Sequence, residues 1–261
     1  MNLSLAGTAL VVTGSTQGVG RAVALEAAGN GAEAILITGR DEARGVSVAA
    51  EVEALGARAH FVSVDLADPT AADAIIDAAL EKFGRIDALV NAAGATDRGS
   101  MLSATQDLWD RVHAVNARTP FFLMQRALQD MRARRKPGAI VNILSINVHG
   151  GATDLTVYSA SKAALALVTK NAAHAHRFDR IRINGINMGW ADTPAERVMH
   201  ADTLGKGPDW LAGQAAQQPF GRLLAPEDVA RLTHFLLSPA SEPMTGALID
   251  QEQSAVGPRD A

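Results

Sequence analysis

Cysteine is absent from the 261 residues. Disulfides and thiolate metal sites are therefore excluded. No staple is needed, because a chain of this length buries roughly three quarters of the surface it exposes when unfolded. Tyrosine occurs once, at Tyr158, and aromatic residues make up only 4% of the chain. There is also no long block of one charge. The net charge is −4, and the single basic cluster is Arg132-Ala133-Arg134-Arg135-Lys136. That cluster reads as the last turn of a helix, where cations meet free carbonyls, rather than as a nucleic-acid patch. No apolar run approaches the ~20 residues of a membrane span, and the N-terminus has no signal-peptide pattern. The expectation is a soluble, cytoplasmic protein that binds neither nucleic acid nor membrane and holds no metal.

What is present is a regular alternation. Apolar runs stand at Thr8–Thr13, Ala34–Thr38, Ala59–Val64, Ile86–Asn91, Gly138–Leu144, Ile181–Asn187 and Thr245–Asp250, with helical patterns between them. The runs are continuous rather than alternating, as expected of strands buried on both faces of a parallel sheet. Several helices have clear starts, as at Asp68-Pro69 and Ala225-Pro226. The pattern predicts an α/β fold: a single Rossmann-like, doubly wound domain over 1–261, with a seven-stranded, mainly parallel sheet. Residues 189–218 show no regular pattern and contain Gly205, Gly207, Pro208 and Trp210. A loop of this length in a compact domain is often functional, and it is expected to be a substrate lid.

Two constellations carry chemistry. In the first, the opening strand runs directly into TGSTQGVG. Gly14, Gly18 and Gly20 allow a backbone to approach a pyrophosphate closely, and the helix that follows offers free N–H groups at its start. The spacing differs from the general G-x-G-x-x-G fingerprint. The second strand ends in Gly39-Arg40 with no carboxylate at its tip. Arg40 either accepts a 2′-phosphate or pairs with Asp41 or Glu42 on the surface. Asp65, after the third strand, is either a cap or a group at the cofactor crevice.

In the second constellation, Tyr158 and Lys162 stand one helical turn apart in YSASK. A nearby ammonium favours the phenolate, which would let the tyrosine give or take a proton near neutral pH. Ser145 ends the strand AIVNILS. Its hydroxyl would lie at the carboxyl edge of the sheet, where open α/β folds bind ligands, and could share charge developing on a substrate oxygen.

Taken in order, TGSTQGVG, NAAG at Asn91–Gly94, Asn116, Ser145, YSASK and NMGWADT at Asn187–Thr193 resemble the short-chain dehydrogenase/reductase family over nearly the whole chain. The resemblance implies an oxidoreductase acting on an alcohol or ketone. It makes Tyr158 the general acid/base, with Lys162 lowering its pKa and holding the nicotinamide ribose. Ser145 positions the reacting oxygen, and Asn116 kinks its helix and supports a proton relay. The turn from Gly14 through Thr16, Gln17, Gly18 and Val19 to Gly20 faces the cofactor. Asp65 and Leu66 meet the adenine, Asn91, Ala92, Ala93 and Gly94 line the cleft, and Thr193 bonds the carboxamide. Gly39-Arg40 resembles the NADP-preferring pattern, although Thr16 and Gln17 stand where many such members are basic. NADP(H) is therefore favoured over NAD(H).

Two departures stand out. Asn187-Met188-Gly189 replaces the usual Asn-Pro-Gly, and Asp250-Gln251-Glu252 replaces Asp-Gly-Gly. The expected substrate wall includes Asn147, His149, Met188 and Trp190, with Arg98 as a further polar group. These residues suit a polar ligand such as a sugar, polyol or hydroxy acid, although Trp190 can equally face an apolar ring or seal the lid. The helices containing FFLMQRAL and KAALALVTKNAA are apolar enough to be covered on two sides, and the resemblance implies a homotetramer built through them. Two other classes remain: a nucleotide-binding regulator without catalysis, and a non-redox enzyme on the same scaffold. The first often lacks the tyrosine or lysine, the second replaces the lysine with arginine, and both side chains are intact here.

Overall fold

The computed structural model describes residues 2–256. Seven strands form one sheet: β1 Ala9–Thr13, β2 Ala34–Gly39, β3 Arg58–Ser63, β4 Ala88–Asn91, β5 Gly138–Ile143, β6 Ile181–Met188 and β7 Leu248–Gln251. Their order is β3-β2-β1-β4-β5-β6-β7, and every neighbouring pair is parallel. The main helices are α1 Gly18–Gly29, α2 Glu42–Ala54, α3 Ala71–Phe83, α4 Gln106–His113, α5 Thr119–Ala133, α6 Thr156–Ala175, α7 Pro194–Val198, α8 Trp210–Ala215 and α9 Pro226–Leu237.

Successive strand residues face opposite ways, and both faces of this sheet are covered. Leu10 and Val12 pack with Val23, Val48, Val52, Val229 and Leu236 of α1, α2 and α9. Ala9 and Val11 pack on the other face with Ile75, Ile76, Leu123, Met124 and Leu165 of α3, α5 and α6. Burial on two faces explains why the strands read as unbroken apolar runs. The edge strands depart from this: β3 is partly exposed along its length, as is β7.

The order of connection reverses between β1 and β4, which lie side by side. The chains leaving these two strands part there and open a crevice at the carboxyl edge. No helix among the described residues is long and apolar enough to cross a membrane.

The last strand and the region after β6 depart furthest from the sequence reading. The last strand begins at Leu248 rather than Thr245, because Gly246 turns the backbone with φ 74° and the Thr245 hydroxyl accepts the Ile183 N–H at 3.0 Å. Residues 189–218 are also less irregular than expected. They contain α7, a π-helical turn at Met199–Thr203 and α8. Thr193 starts α7 by accepting the Glu196 N–H at 3.2 Å, with Pro194 at the first helical position.

Candidate active site

The glycine-rich turn crosses the crevice between β1 and α1. Gly14 has φ 63°, and a Cβ there would lie 2.7 Å from the Ala93 Cα. Only glycine fits a left-handed conformation this close to another backbone. A Cβ on Gly20 would overlap the Gly14 carbonyl. The loop is tied to β2 by Ser15, whose N–H donates to the Thr38 carbonyl at 2.9 Å and whose Oγ accepts the Thr38 N–H at 2.9 Å. Across the crevice, Thr13 Oγ1 accepts the Ala92 and Ala93 N–H groups at 3.1 and 3.2 Å. No side chain caps the first turn of α1. The cradle and the uncapped helix start fit a dinucleotide pyrophosphate.

Thr16 stands over the end of β2. A Cβ on Gly39 would lie 2.5 Å from its Cγ2, so a side chain at that strand tip would require Thr16 to shift. Arg40 is exposed and forms no hydrogen bond or ion pair among the described residues. Asp41 is engaged elsewhere: it caps α2 by accepting the Arg44 N–H at 3.0 Å and pairs with Arg44 Nε at 2.8 Å. Arg44 also donates to the Gln17 side chain, which brings a second guanidinium to the loop. Asp65 is exposed and accepts the Ala67 N–H at 3.0 Å, closing its own turn. Leu66 is buried, and its carbonyl accepts from Thr119 Oγ1 at 2.7 Å.

Ser145 follows β5, and Tyr158 and Lys162 lie in the first two turns of α6; all three are buried. Lys162 Nζ donates to the Ile143 carbonyl at 2.8 Å and lies 5.9 Å from the centre of the Tyr158 ring. Asn116 occupies the π-helical turn Ala114–Arg118 between α4 and α5, a feature often found at functional sites. Its Nδ2 donates to the Ala95 carbonyl at 2.9 Å and to Ser161 Oγ at 3.0 Å, and its Oδ1 accepts the Ala95 N–H at 2.8 Å. Gly94 faces this cluster, since a Cβ there would lie 3.5 Å from Lys162 Nζ and 3.8 Å from Asn116 Oδ1. Asn91 Nδ2 donates to Asn142 Oδ1 at 2.7 Å, leaving its buried Oδ1 without a partner. Thr193 Cβ would lie 3.5 Å from a Cβ on Gly18, joining α7 to the glycine-rich loop.

Burial dominates the titration of the pair. It pushes the Tyr158 phenol up to about 12, with the Ser145 hydroxyl acting against it and the Glu196 charge adding to it. This is opposite to the lowering expected from the nearby lysine. Burial also brings Lys162 down to about 8.

Four residues expected on the substrate wall are placed less uniformly. Asn147 donates its N–H to Ser145 Oγ at 3.2 Å, in the short helical turn after β5. Trp190 Nε1 donates to Glu196 Oε2 at 2.9 Å. Met188 ends β6 beside Gln251. His149 bonds Asp250 Oδ1 through Nε2 at 3.0 Å, and the same oxygen accepts from Asn187 Nδ2 at 2.7 Å. The sequence reading did not single out Glu196 or His200. A capping-box spacing, Thr193 followed by Glu196, was the available signal for this helix start.

The family model for Enoyl-(Acyl carrier protein) reductase matches residues 14–251. The chain is 35% identical to cis-4-hydroxycyclohexanecarboxylate dehydrogenase from Sinomonas cyclohexanicum, over 92% of each chain. It is 34% identical to L-rhamnose 1-dehydrogenase (NAD(P)(+)) from Sphingomonas sp., over 94% of each. L-sorbose reductase from Gluconobacter frateurii, solved with NADPH and L-sorbose, superposes with a TM-score of 0.92 at 30% identity, covering 99% of this chain and 100% of that one. The chain belongs to the short-chain dehydrogenase/reductase family.

Within that family, the two departures in this chain form one contact. Met188 pairs with Gln251 across β6 and β7. Gln251 Nε2 donates to the Asp228 carbonyl at 2.9 Å. The Glu252 carboxylate folds over Gly189, in the space a Cβ there would need, and accepts the Trp190 N–H at 3.3 Å. Met188, Gln251 and Glu252, which stand in place of a proline and a glycine pair, thus meet around Gly189.

Because Tyr158 is the only tyrosine, ultraviolet absorbance titration reports it alone. The tyrosinate band is expected to emerge above pH 10.0, with a midpoint near 12. Folding keeps the phenol neutral, so the stability it contributes is present below pH 10 and is lost as pH rises toward 12. A midpoint at or below 10 would show that Lys162, not burial, controls this group.

Proposed function

We propose that the protein transfers a hydride reversibly between NADP(H) and the carbon of a carbonyl or secondary alcohol, with Tyr158 as general acid/base. The observation that carries this reading is the buried cluster of Ser145, Tyr158, Lys162 and Asn116 beside an uncapped glycine-rich helix start. The backbone of Gly14–Gly20 would hold the pyrophosphate, with Asp65 and Leu66 toward the adenine and Asn91–Gly94 along the cleft. Thr193, at the start of α7, would meet the carboxamide. The nicotinamide, when bound, supplies or accepts the hydride.

The chain's own residues manage the proton and the charge. Ser145 Oγ would donate to the substrate oxygen, and Tyr158 Oη would give it a proton during reduction or take one during oxidation. A phenol held neutral suits the donor role. Lys162 places an ammonium beneath the site, favouring negative charge on Tyr158 as its proton leaves. Asn116 fixes the helix behind Lys162 and Gly94. Arg40, free beside a strand tip that carries no carboxylate, supports NADP(H) over NAD(H), and Arg44 adds charge to the same loop. The preference draws further support from the sorbose reductase solved with NADPH.

Residues 189–218 are the proposed lid. The substrate class favoured is a sugar or polyol, in line with the rhamnose- and sorbose-acting relatives. Phe121, Phe122 and Leu167 leave apolar surface on α5 and α6, with Leu167 62% exposed. These are the faces proposed to pair in a cytoplasmic homotetramer.

Tyr158→Phe should lower kcat/KM by roughly 10²–10⁴-fold while the Kd for NADPH, read by tryptophan-to-nicotinamide energy transfer, stays within a few-fold. Near wild-type turnover in this variant would contradict the assignment. Arg40→Ala should weaken NADPH binding roughly 10-fold or more and leave NADH binding nearly unchanged. An equal effect on both cofactors would remove Arg40 from the phosphate site.

A further inference from the structure

The segment after β6 carries a carboxylate, Glu196, against the Trp190 indole, and the family motifs do not include it. Glu196 lies in the first turn of α7. Its Oε2 receives the Trp190 indole N–H at 2.9 Å and lies 3.3 Å from His200 Nε2. Lys206 Nζ lies 3.0 Å from His200 Nδ1. An ammonium only donates, so Nδ1 is the acceptor and Nε2 carries the hydrogen that points to Glu196. The His200 ring is buried, stacks on Trp210 at 4.6 Å and lies 4.9 Å from Trp190. Burial holds its pKa below the ordinary value, with Lys206 and Arg98 adding to that and Glu196 opposing.

Glu196 is thus fixed through one oxygen. Its Oε1 accepts no hydrogen bond among the described residues, and its side chain is 22% exposed. The start of its helix rests on the glycine-rich loop through Thr193. Its charge reaches the Tyr158 phenol. Arg98, whose charge acts on the same His200 ring, is already paired with Asp154. The charged group left with an open acceptor is Glu196, through Oε1.

We infer that Glu196 is a specificity residue, whose free Oε1 accepts a hydroxyl on a substrate carbon close to the reacting one. This rests on the hydride-transfer reading above and names its substrate class: neutral polyhydroxylated molecules rather than hydroxy acids. A hydroxyl bonded to a carboxylate is a charge-assisted contact. A substrate without that hydroxyl forfeits it, and a substrate carboxylate placed there meets like charge. The two donors on Oε2 hold the side chain in place, so little ordering is left for the substrate to impose.

The test compares kcat/KM for a hexitol, for cyclohexanol and for 4-hydroxycyclohexanecarboxylate, with NADP⁺, in the wild type and in Glu196→Gln. The hexitol-to-cyclohexanol ratio should fall roughly 10- to 100-fold in the variant, and the carboxylate-to-cyclohexanol ratio should rise. The kinetic pKa of cyclohexanol oxidation should also move downward, because removing the Glu196 charge favours the Tyr158 phenolate. Trp190→Phe keeps the ring, removes one donor and should shift both ratios the same way by a smaller factor. A uniform loss across the three substrates with an unmoved pH profile would make Glu196 merely structural and overturn the inference. Unchanged ratios would do the same. If the wild type oxidises none of the three and reduces none of their ketones, the hydride-transfer reading fails and the role of Glu196 fails with it.

Discussion

A buried ammonium on a strand-end carbonyl sets the geometry of this protein's site. Lys162 donates to the Ile143 carbonyl at 2.8 Å, joining the second turn of α6 to the last residue of β5. No carboxylate shares that burial. The charge is therefore costly, and its pKa falls to about 8. What offsets that cost is the hydrogen bond to the carbonyl, with Gly94 leaving room for the ammonium beside it. Once α6 is held to β5 in this way, Tyr158 must sit beside Ser145.

The sheet supplies the other constraint. Reversal of strand order between β1 and β4 opens the crevice, and glycine is needed where the two departing chains meet, at Gly14 against Ala93. The same crowding acts at the end of β2. Thr16 packs over Gly39, so a side chain there would have to displace it, and the first charged side chain after the strand is Arg40. Two elements that look independent in the sequence, the glycine-rich loop and the strand tip, act on one another through a single threonine.

Much of this was legible in the chain because the chemistry fixes short spacings. Tyr158 and Lys162 are one helical turn apart, and the cradle glycines fall within one turn of backbone. The strands were readable because burial on both faces demands unbroken apolar runs. The parts that escaped depend on contacts between distant residues. Glu252 covers Gly189 from the far end of the chain, and Glu196 becomes part of the site only when Trp190 and His200 fold onto it. The direction of the Tyr158 shift was missed for a related reason. Proximity of a lysine is visible in a sequence, whereas the degree of burial that outweighs it is not. The contact of His149 with Asp250, 101 positions away, is of the same kind.

The central claim is that this cleft passes a hydride while Tyr158 passes the proton. The most direct measurement uses a secondary alcohol deuterated at the carbinol carbon, incubated with the enzyme and NADP⁺, followed by mass analysis of the reduced cofactor. The account predicts deuterium in the NADPH formed by the wild type, and almost no labelled NADPH from Tyr158→Phe in the same time. Ketone formed without label in the cofactor would contradict hydride transfer at this site, and equal labelling by both proteins would contradict the role of the tyrosine.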